Sequence, residues 1–460
     1  MRVTPLTAGN KPPMTSRRII RTYYGIAATT TLAQALIWGV NTLFLLSVGF
    51  GIFEVMLINA AYTVAQVAFE VPTGVVADTV GRRVSYLLAV AIILVSTLLY
   101  VGFGVAGYGL WPFAAASALL GLGYTFYTGA VDAWMVDALQ SVGYEGRLEP
   151  IFARYGITFG IFMLIGTTLG GLLGQVDLWI PYVARAAVLV PAFLLGLLVM
   201  RDLGFKGRPL TLGSFGAETR RIAREGVTYG LRDRTVRFIM FASLVQGVFF
   251  MYGFYSWQKY FLDLLGRDLV WVTGVIAALV GLTQILGNVF VGRIIARWPD
   301  RGLILMVCAA VTTAAVIGAA LVQQFWVAVP LYLVSTVAFG ISTPVKQGWL
   351  NARIPSQQRA TIISLDALFG DGGSTVGQVG LGWLSQAVSI PAAWLVGGVV
   401  QAASVPLLGA ARRAERDEPA TTVGEPEAIL EPETPGCLGP EPAAGCVVVE
   451  ELGAADERVA

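Results

Sequence analysis

The sequence predicts an all-α membrane protein, with twelve transmembrane helices arranged as two six-helix bundles. Three observations lead there. Hydrophobic residues make up 56% of the 460 residues and charged residues 13%, whereas a soluble domain carries about 45–50% and about 25%; mean hydropathy is +0.70. Apolar runs long enough to cross a bilayer as helices follow one another with short connections. A distinctive polar turn also recurs in degraded form in the second half of the chain.

The runs fall near 22–48, 53–77, 84–106, 111–136, 152–174 and 180–200, then 238–262, 270–295, 302–323, 326–350, 360–385 and 390–411. Residues 1–21 form a polar, basic arm with no apolar segment ending in a small-residue cleavage site, so no cleaved signal peptide is expected. Residues 22–200 hold the first six spans and 237–411 the second six. Between them, 201–236 is the one long charged connection. Its segment Ala217 to Arg234 mixes Arg and Glu with Ile222, Val227, Tyr229 and Leu231, which predicts an amphipathic helix on the membrane face. Residues 412–460 hold twelve acids and six prolines, a composition that predicts a disordered acidic tail.

Charge sets the expected orientation. With both ends cytoplasmic, the inward segments hold 27 of the 31 Lys and Arg; the exceptions are Arg185, Lys259, Arg267 and Lys346. Cytoplasmic loops retain basic residues in this way. The net charge of +2 therefore reflects sidedness and gives no reason to expect nucleic acid. Histidine is absent, so any proton relay uses carboxylates. Cys308 lies in an apolar run and Cys437 and Cys446 in the tail, with no metal or disulfide framework. No cofactor is expected, and no nucleotide loop or nucleophile constellation marks an enzyme.

The most informative turn is Gly74-Val-Val-Ala-Asp78-Thr-Val-Gly81-Arg82-Arg83. It follows the second span, where Asp78 can bond to Arg82 or Arg83 across the turn, and Gly74 would let its helix approach a neighbour. The turn after span eight, Gly292 to Arg301, aligns with it at an offset of 218 residues, with Ala296 in place of the acid and Pro299 in place of the second glycine.

Charges inside spans are functional candidates, since each costs about 2.5–3.5 kcal/mol at a helix centre. Glu70 lies two turns outward of Asp78, about 12 Å by helical rise. Asp132 and Asp137 lie on span four, Lys346 on span ten, and Asp366 and Asp371 on span eleven. A carboxylate poised between burial and a nearby Lys or Arg can take and release a proton near neutrality. Asp132 and Glu70 lead as proton carriers. Lys346 with Asp366 or Asp371 reads equally as a buried ion pair. Asp137 reads as a helix-end charge. Gln34, Trp38 and Asn41 share one face of span one, which suits a cavity wall. Gln246 on span seven and Asn288 on span eight, together with Lys346, would add polar hooks to a cavity rich in aromatics.

The Gly74–Arg83 turn resembles the loop signature of the major facilitator superfamily, G-x-x-x-D-x-x-G-R-R. That resemblance implies two parallel bundles with a midplane site and alternating access. It also implies that Gly74, Asp78, Gly81, Arg82 and Arg83 form a latch between the halves. Gly166-Thr167-Thr168-Leu-Gly170-Gly171 in span five resembles the glycine-rich signature of the drug:proton antiporter branches, with Thr167 where the family has Pro. The span-four motif R-x-x-Q-G falls on Thr125 to Gly129, without its arginine. The resemblance therefore implies a secondary active transporter in the cell membrane, acting as a monomer on a small-molecule substrate. Proton-coupled efflux of lipophilic compounds fits best; a carrier of one specific metabolite is the alternative on the same fold.

Overall fold

The computed structural model describes residues 14–205, 232–354 and 359–417. All regular structure among them is helical. The first half comprises α1 (Ser16–Trp38), α2 (Asn41–Ser47), α3 (Ile52–Thr79), α4 (Arg82–Ala106), α5 (Leu110–Tyr127), α6 (Ala130–Ser141), α7 (Glu149–Val176) and α8 (Ile180–Val199). The second comprises α9 (Arg234–Leu265), α10 (Val270–Arg297), α11 (Arg301–Val322), α12 (Phe325–Arg353), α13 (Arg359–Ala387), α14 (Ile390–Ala402) and α15 (Ser404–Asp417). The amphipathic segment expected within 201–236 falls mostly outside the described residues, as does the tail beyond Asp417.

Twelve helical passages correspond to the twelve apolar runs. Three of them are broken. α1 and α2 meet at a 47° bend after Gly39 and Val40. α5 and α6 are interrupted at Thr128 and Gly129, where Gly129 takes φ +73°. α14 and α15 are separated by Ala403. Among the described residues nine helices are long and apolar enough to span, ten with the bent α1–α2 pair. The other two passages are the interrupted α5–α6 and α13, whose Asp366, Asp371, Gln378 and serines dilute its hydropathy.

Local chemistry explains the helix starts. Glu54 accepts the Gly51 N–H at 2.8 Å and begins α3. Asp233 caps α9 through the Val236 N–H, and Asp300 caps α11 through the Leu303 N–H, both at 2.9 Å. These side chains satisfy amide donors that a helix end leaves orphaned. The proposed boundary of the tail at 412 moves outward: α15 runs to Asp417. Arg412 and Arg416 both bond to Asp300, and Glu415 accepts the Trp349 indole N–H at 2.6 Å.

Glycines let the helices approach closely, as small residues do in membranes. A Cβ on Gly171 of α7 would meet the backbone of Gly274 on α10, which explains the glycine run of span five. Gly373 and Gly377 of α13 lie against the carbonyls of Leu244 and Val248 on α9, with no space for a methyl group. Large apolar side chains such as Val105, Trp111, Val176 and Trp326 point outward, the surface that lipid covers.

Hydrogen bonds between the halves gather toward one face. The Thr42 N–H donates to Gln258 Oε1 at 2.9 Å, and the Gln258 amide donates to the Trp38 carbonyl at 3.0 Å. Gln175 donates to the Asp268 carbonyl at 3.1 Å, and Thr63 to Gln378 Oε1 at 3.3 Å, midway along α3. At the opposite face, which carries Gly81 and Asp300, no hydrogen bond joins the halves among the described residues.

Candidate transport site

A cavity of about 400 Å³ lies within the second half and is bounded by Trp38 from the first. Its wall is aromatic: Phe249, Phe250, Phe254, Tyr332 and Phe339. Its polar groups include Ser243, Gln246, Gln284, Lys346, Asp366 and Asp371. The apolar surface with a few convergent polar groups has the composition of a small-molecule site. The Trp38 ring sits 5.5 Å from that of Phe254 and closes one side.

Lys346, Asp366 and Ser243 form a triad contributed by α12, α13 and α9. The Lys346 ammonium is 2.7 Å from Asp366 Oδ2, and the Ser243 hydroxyl donates to Asp366 Oδ1 at 2.6 Å. Lys346 also donates to the Ser243 oxygen at 3.0 Å. Asp366 is buried, and Lys346 remains partly open to the cavity. Asp371 stands one and a half turns along α13, with no side-chain hydrogen bond among the described residues. Glu70, exposed on α3 of the other half, is close enough to Asp371 to interact electrostatically.

The other expected site residues are dispersed. Gln34 lines a separate pocket of about 40 Å³ in the first half. Asn41 is taken up in packing: it accepts from the Tyr182 hydroxyl at 2.7 Å and donates to Asn59 at 3.1 Å. Asn288 is exposed and donates back to the Gln284 carbonyl of its own helix at 3.2 Å; Gln284, one turn earlier, reaches the cavity instead. Asp132 sits in the first turn of α6 and accepts from the Tyr23 hydroxyl at 2.6 Å. Tyr23 in turn stacks on Tyr155 with centroids 4.8 Å apart. Asp132 is not among the residues that line the cavity.

The Gly74–Arg83 turn bonds within its own half. Arg82 pairs with Asp78 at 2.5 Å and lies 3.7 Å from Asp137 on α6. Asp137 is therefore more than a helix-end charge. The Arg83 guanidinium donates to the Leu197 carbonyl at 2.6 Å, and its backbone N–H donates to Asp202 at 2.9 Å. Gly81 has φ +132°, and a Cβ there would run into Asp202. Burial pushes the Asp202 carboxyl above its ordinary range, against the lowering effect of the Arg83 N–H. Gly74 differs from expectation: among the described residues nothing lies within 4 Å of its would-be side chain, so it supports no close approach to them.

A family model described as Major Facilitator Superfamily matches residues 23–378 and 265–446. The chain belongs to the Major Facilitator Superfamily. This superfamily member is 25% identical to the class G tetracycline resistance protein of Vibrio anguillarum over 362 residues, 75% of this chain and 85% of that one. It is 24% identical to the class B tetracycline resistance protein of Escherichia coli, over 66% of this chain and 72% of that one. Its fold is similar to the crystal structure of the nucleoside transporter NupG, with a TM-score of 0.70 and 12% identity, covering 86% of this chain and 98% of that one.

Three groups in this superfamily member escaped sequence reasoning. Ser243 gave no signal, since a lone serine in an apolar run is ordinary. Asp202 falls in the charged connection, where an acid is expected. Arg185 did give a signal: it is a charge inside the α8 apolar run and an exception to the sidedness of Lys and Arg.

Proposed function

We infer that this protein exports lipophilic small molecules across the cytoplasmic membrane in exchange for protons, by alternating access between its halves. The single observation that carries this reading is the pairing of Lys346 with Asp366 in the wall of an aromatic cavity, with Asp371 unpaired beside it. The aromatic wall suits lipophilic compounds, and the carboxylates supply proton-binding groups. The sequence relatives, tetracycline resistance proteins, favour efflux over uptake.

In this account Asp371 and Glu70 carry the proton. They lie on opposite halves, within electrostatic reach of each other, and repel when both are charged. A proton bound at the pair relieves that repulsion and lets α3 and α13 close. Lys346 pairs with Asp366 and holds the cavity in shape. The proton's inward movement contributes about 2.3 kcal/mol per 100 mV. Asp78, Gly81, Arg82 and Arg83 hold the first half rigid at the cytoplasmic face; the open space at Gly74 is where the second half arrives when that face shuts. Both termini lie in the cytoplasm, as the distribution of Lys and Arg supports.

The test is efflux of a panel of lipophilic cations, acids and neutral compounds, including tetracycline, in inverted vesicles with and without an imposed pH gradient. The reading expects several unrelated compounds to accumulate only with the gradient. Movement of one metabolite alone, indifferent to the gradient, would overturn it.

A further inference from the structure

We propose that Arg185 anchors an anion subsite in the first half, and that it receives a carboxylate- or enolate-type oxygen of a lipophilic organic acid. The inference rests on the transport reading above and adds a substrate class to it.

Arg185 is 1% exposed, and a guanidinium keeps its charge at any physiological pH. No carboxylate of the described residues lies within ion-pair distance of it. Among the described residues its one hydrogen bond, to the Tyr124 hydroxyl, is long at 3.4 Å, and its Nε has no partner. Buried charges are ordinarily paired, because an unpaired one loses its hydration without replacement. The sequence offers no relief nearby. α8 packs on α1, α4 and α7, and these four helices contain a single acid, Glu149, at the far end of α7.

The pocket beside Arg185 points to what fills the gap. It measures about 40 Å³, and its polar lining includes Arg185, Thr30, Thr31, Gln34, Tyr124 and Tyr127, beside apolar residues such as Val90 and Leu189. At roughly 10–15 Å³ per water-sized centre, it has room for about three small polar atoms. That suits one carboxylate and excludes a whole drug-sized molecule. Arginine matches the two oxygens of a carboxylate with parallel donors. Gln34 is exposed at the mouth of the pocket, and Trp38 lies one turn further on the same face of α1. Trp38 bounds the large cavity. An acid seated on Arg185 would therefore extend its apolar body past Gln34 toward that cavity.

The experiment uses the full chain in detergent and two probes of matched shape, 2-naphthoate and 2-naphthamide, with binding read by calorimetry. Native protein is expected to bind the acid about tenfold more tightly than the amide, the effect of one charge-assisted pair. Arg185→Gln should abolish that preference, and Arg185→Lys, which keeps the charge but not the fork, should reduce it. Equal binding of acid and amide by native protein would overturn the inference even where no variant folds. So would a preference that survives in Arg185→Gln. The vesicle panel separates this outcome from failure of the transport reading. If efflux follows the pH gradient without any acid preference, only the subsite is lost; if no compound follows the gradient, the transport reading itself falls.

Discussion

Asp202 occupies the space that a side chain at position 81 would need, while its carboxylate accepts the backbone N–H of Arg83 at 2.9 Å. The chain just beyond α8 is thereby fastened to the turn between α3 and α4. Gly81→Ala must move Asp202 and also place a Cβ on a backbone with φ +132°. Backbone strain of that kind costs about 1–3 kcal/mol. Gly81→Ala should lower the melting temperature in detergent, whereas Gly74→Ala, facing open space, should leave it within error. A lower melting temperature for Gly74→Ala alone would show that the two glycines have been assigned in reverse.

The second half holds a comparable tie, there between two charged side chains. There Asp300 comes from the turn and Arg412 from the last helix, 2.7 Å apart. Burial works against the Asp300 charge, but the bonds from Arg412, the Leu303 N–H and Arg416 outweigh it and hold the carboxyl below its ordinary range. An acid with a depressed folded pKa binds fewer protons folded than unfolded. Its stabilisation is complete above the unfolded pKa of about 3.9, and is lost as pH falls through the folded value. Asp202 has the opposite sign: its raised pKa takes stability away as pH rises from the unfolded value through the folded one. Melting curves across acidic pH should therefore lose part of their acid-side decline in Asp300→Asn. In Asp202→Asn the decline with rising pH should shrink. The same slope change in both variants would contradict this assignment.

Removing one partner of a buried ion pair costs about 3–5 kcal/mol, and less where the other partner reaches water. Lys346 is partly open to the cavity, so Asp366→Asn should fall at or below the low end of that range. Asp366→Asn combined with Lys346→Gln should recover stability relative to Asp366→Asn alone, because no charge is left stranded. A double-mutant cycle on thermal unfolding reads the coupling. Strictly additive effects would mean that the 2.7 Å pair contributes nothing to stability.

The glycine seam between halves gives a conformational prediction. Gly171 and Gly274 touch backbone to backbone, so Gly274→Leu should wedge α7 from α10 and open the face now held by Thr42 and Gln258. A cysteine placed at Thr42 should then react with a membrane-impermeant thiol reagent several-fold faster than in the Thr42→Cys protein without the wedge. Unchanged labelling would show that the seam tolerates bulk.

Much of this architecture was legible in the sequence because lipid imposes it. A span must be about 20 apolar residues long, so the runs at 84–106 and 180–200 meet α4 and α8 almost residue for residue. The breaks at Gly39, Thr128 and Ala403 were not legible, since tertiary packing and not composition selects them. The site was only partly readable for a related reason. Lys346, Asp366 and Asp371 declared themselves as charges in apolar runs, and Trp38 by its helical face. Asn41 and Asn288 share the same polar character, yet one is absorbed by Tyr182 and Asn59 and the other turns back on its own helix. Spacing along one helix cannot separate such residues, because the neighbour that satisfies them comes from another helix.

In the proposed transport cycle a proton carried at Asp371 drives export. The direct measurement is substrate flux in proteoliposomes for native protein and Asp371→Asn, comparing gradient-driven accumulation with counterflow at equal pH. Asp371→Asn should lose gradient-driven accumulation and keep counterflow, since a neutral side chain still permits the halves to exchange. Full gradient-driven accumulation by Asp371→Asn would contradict it.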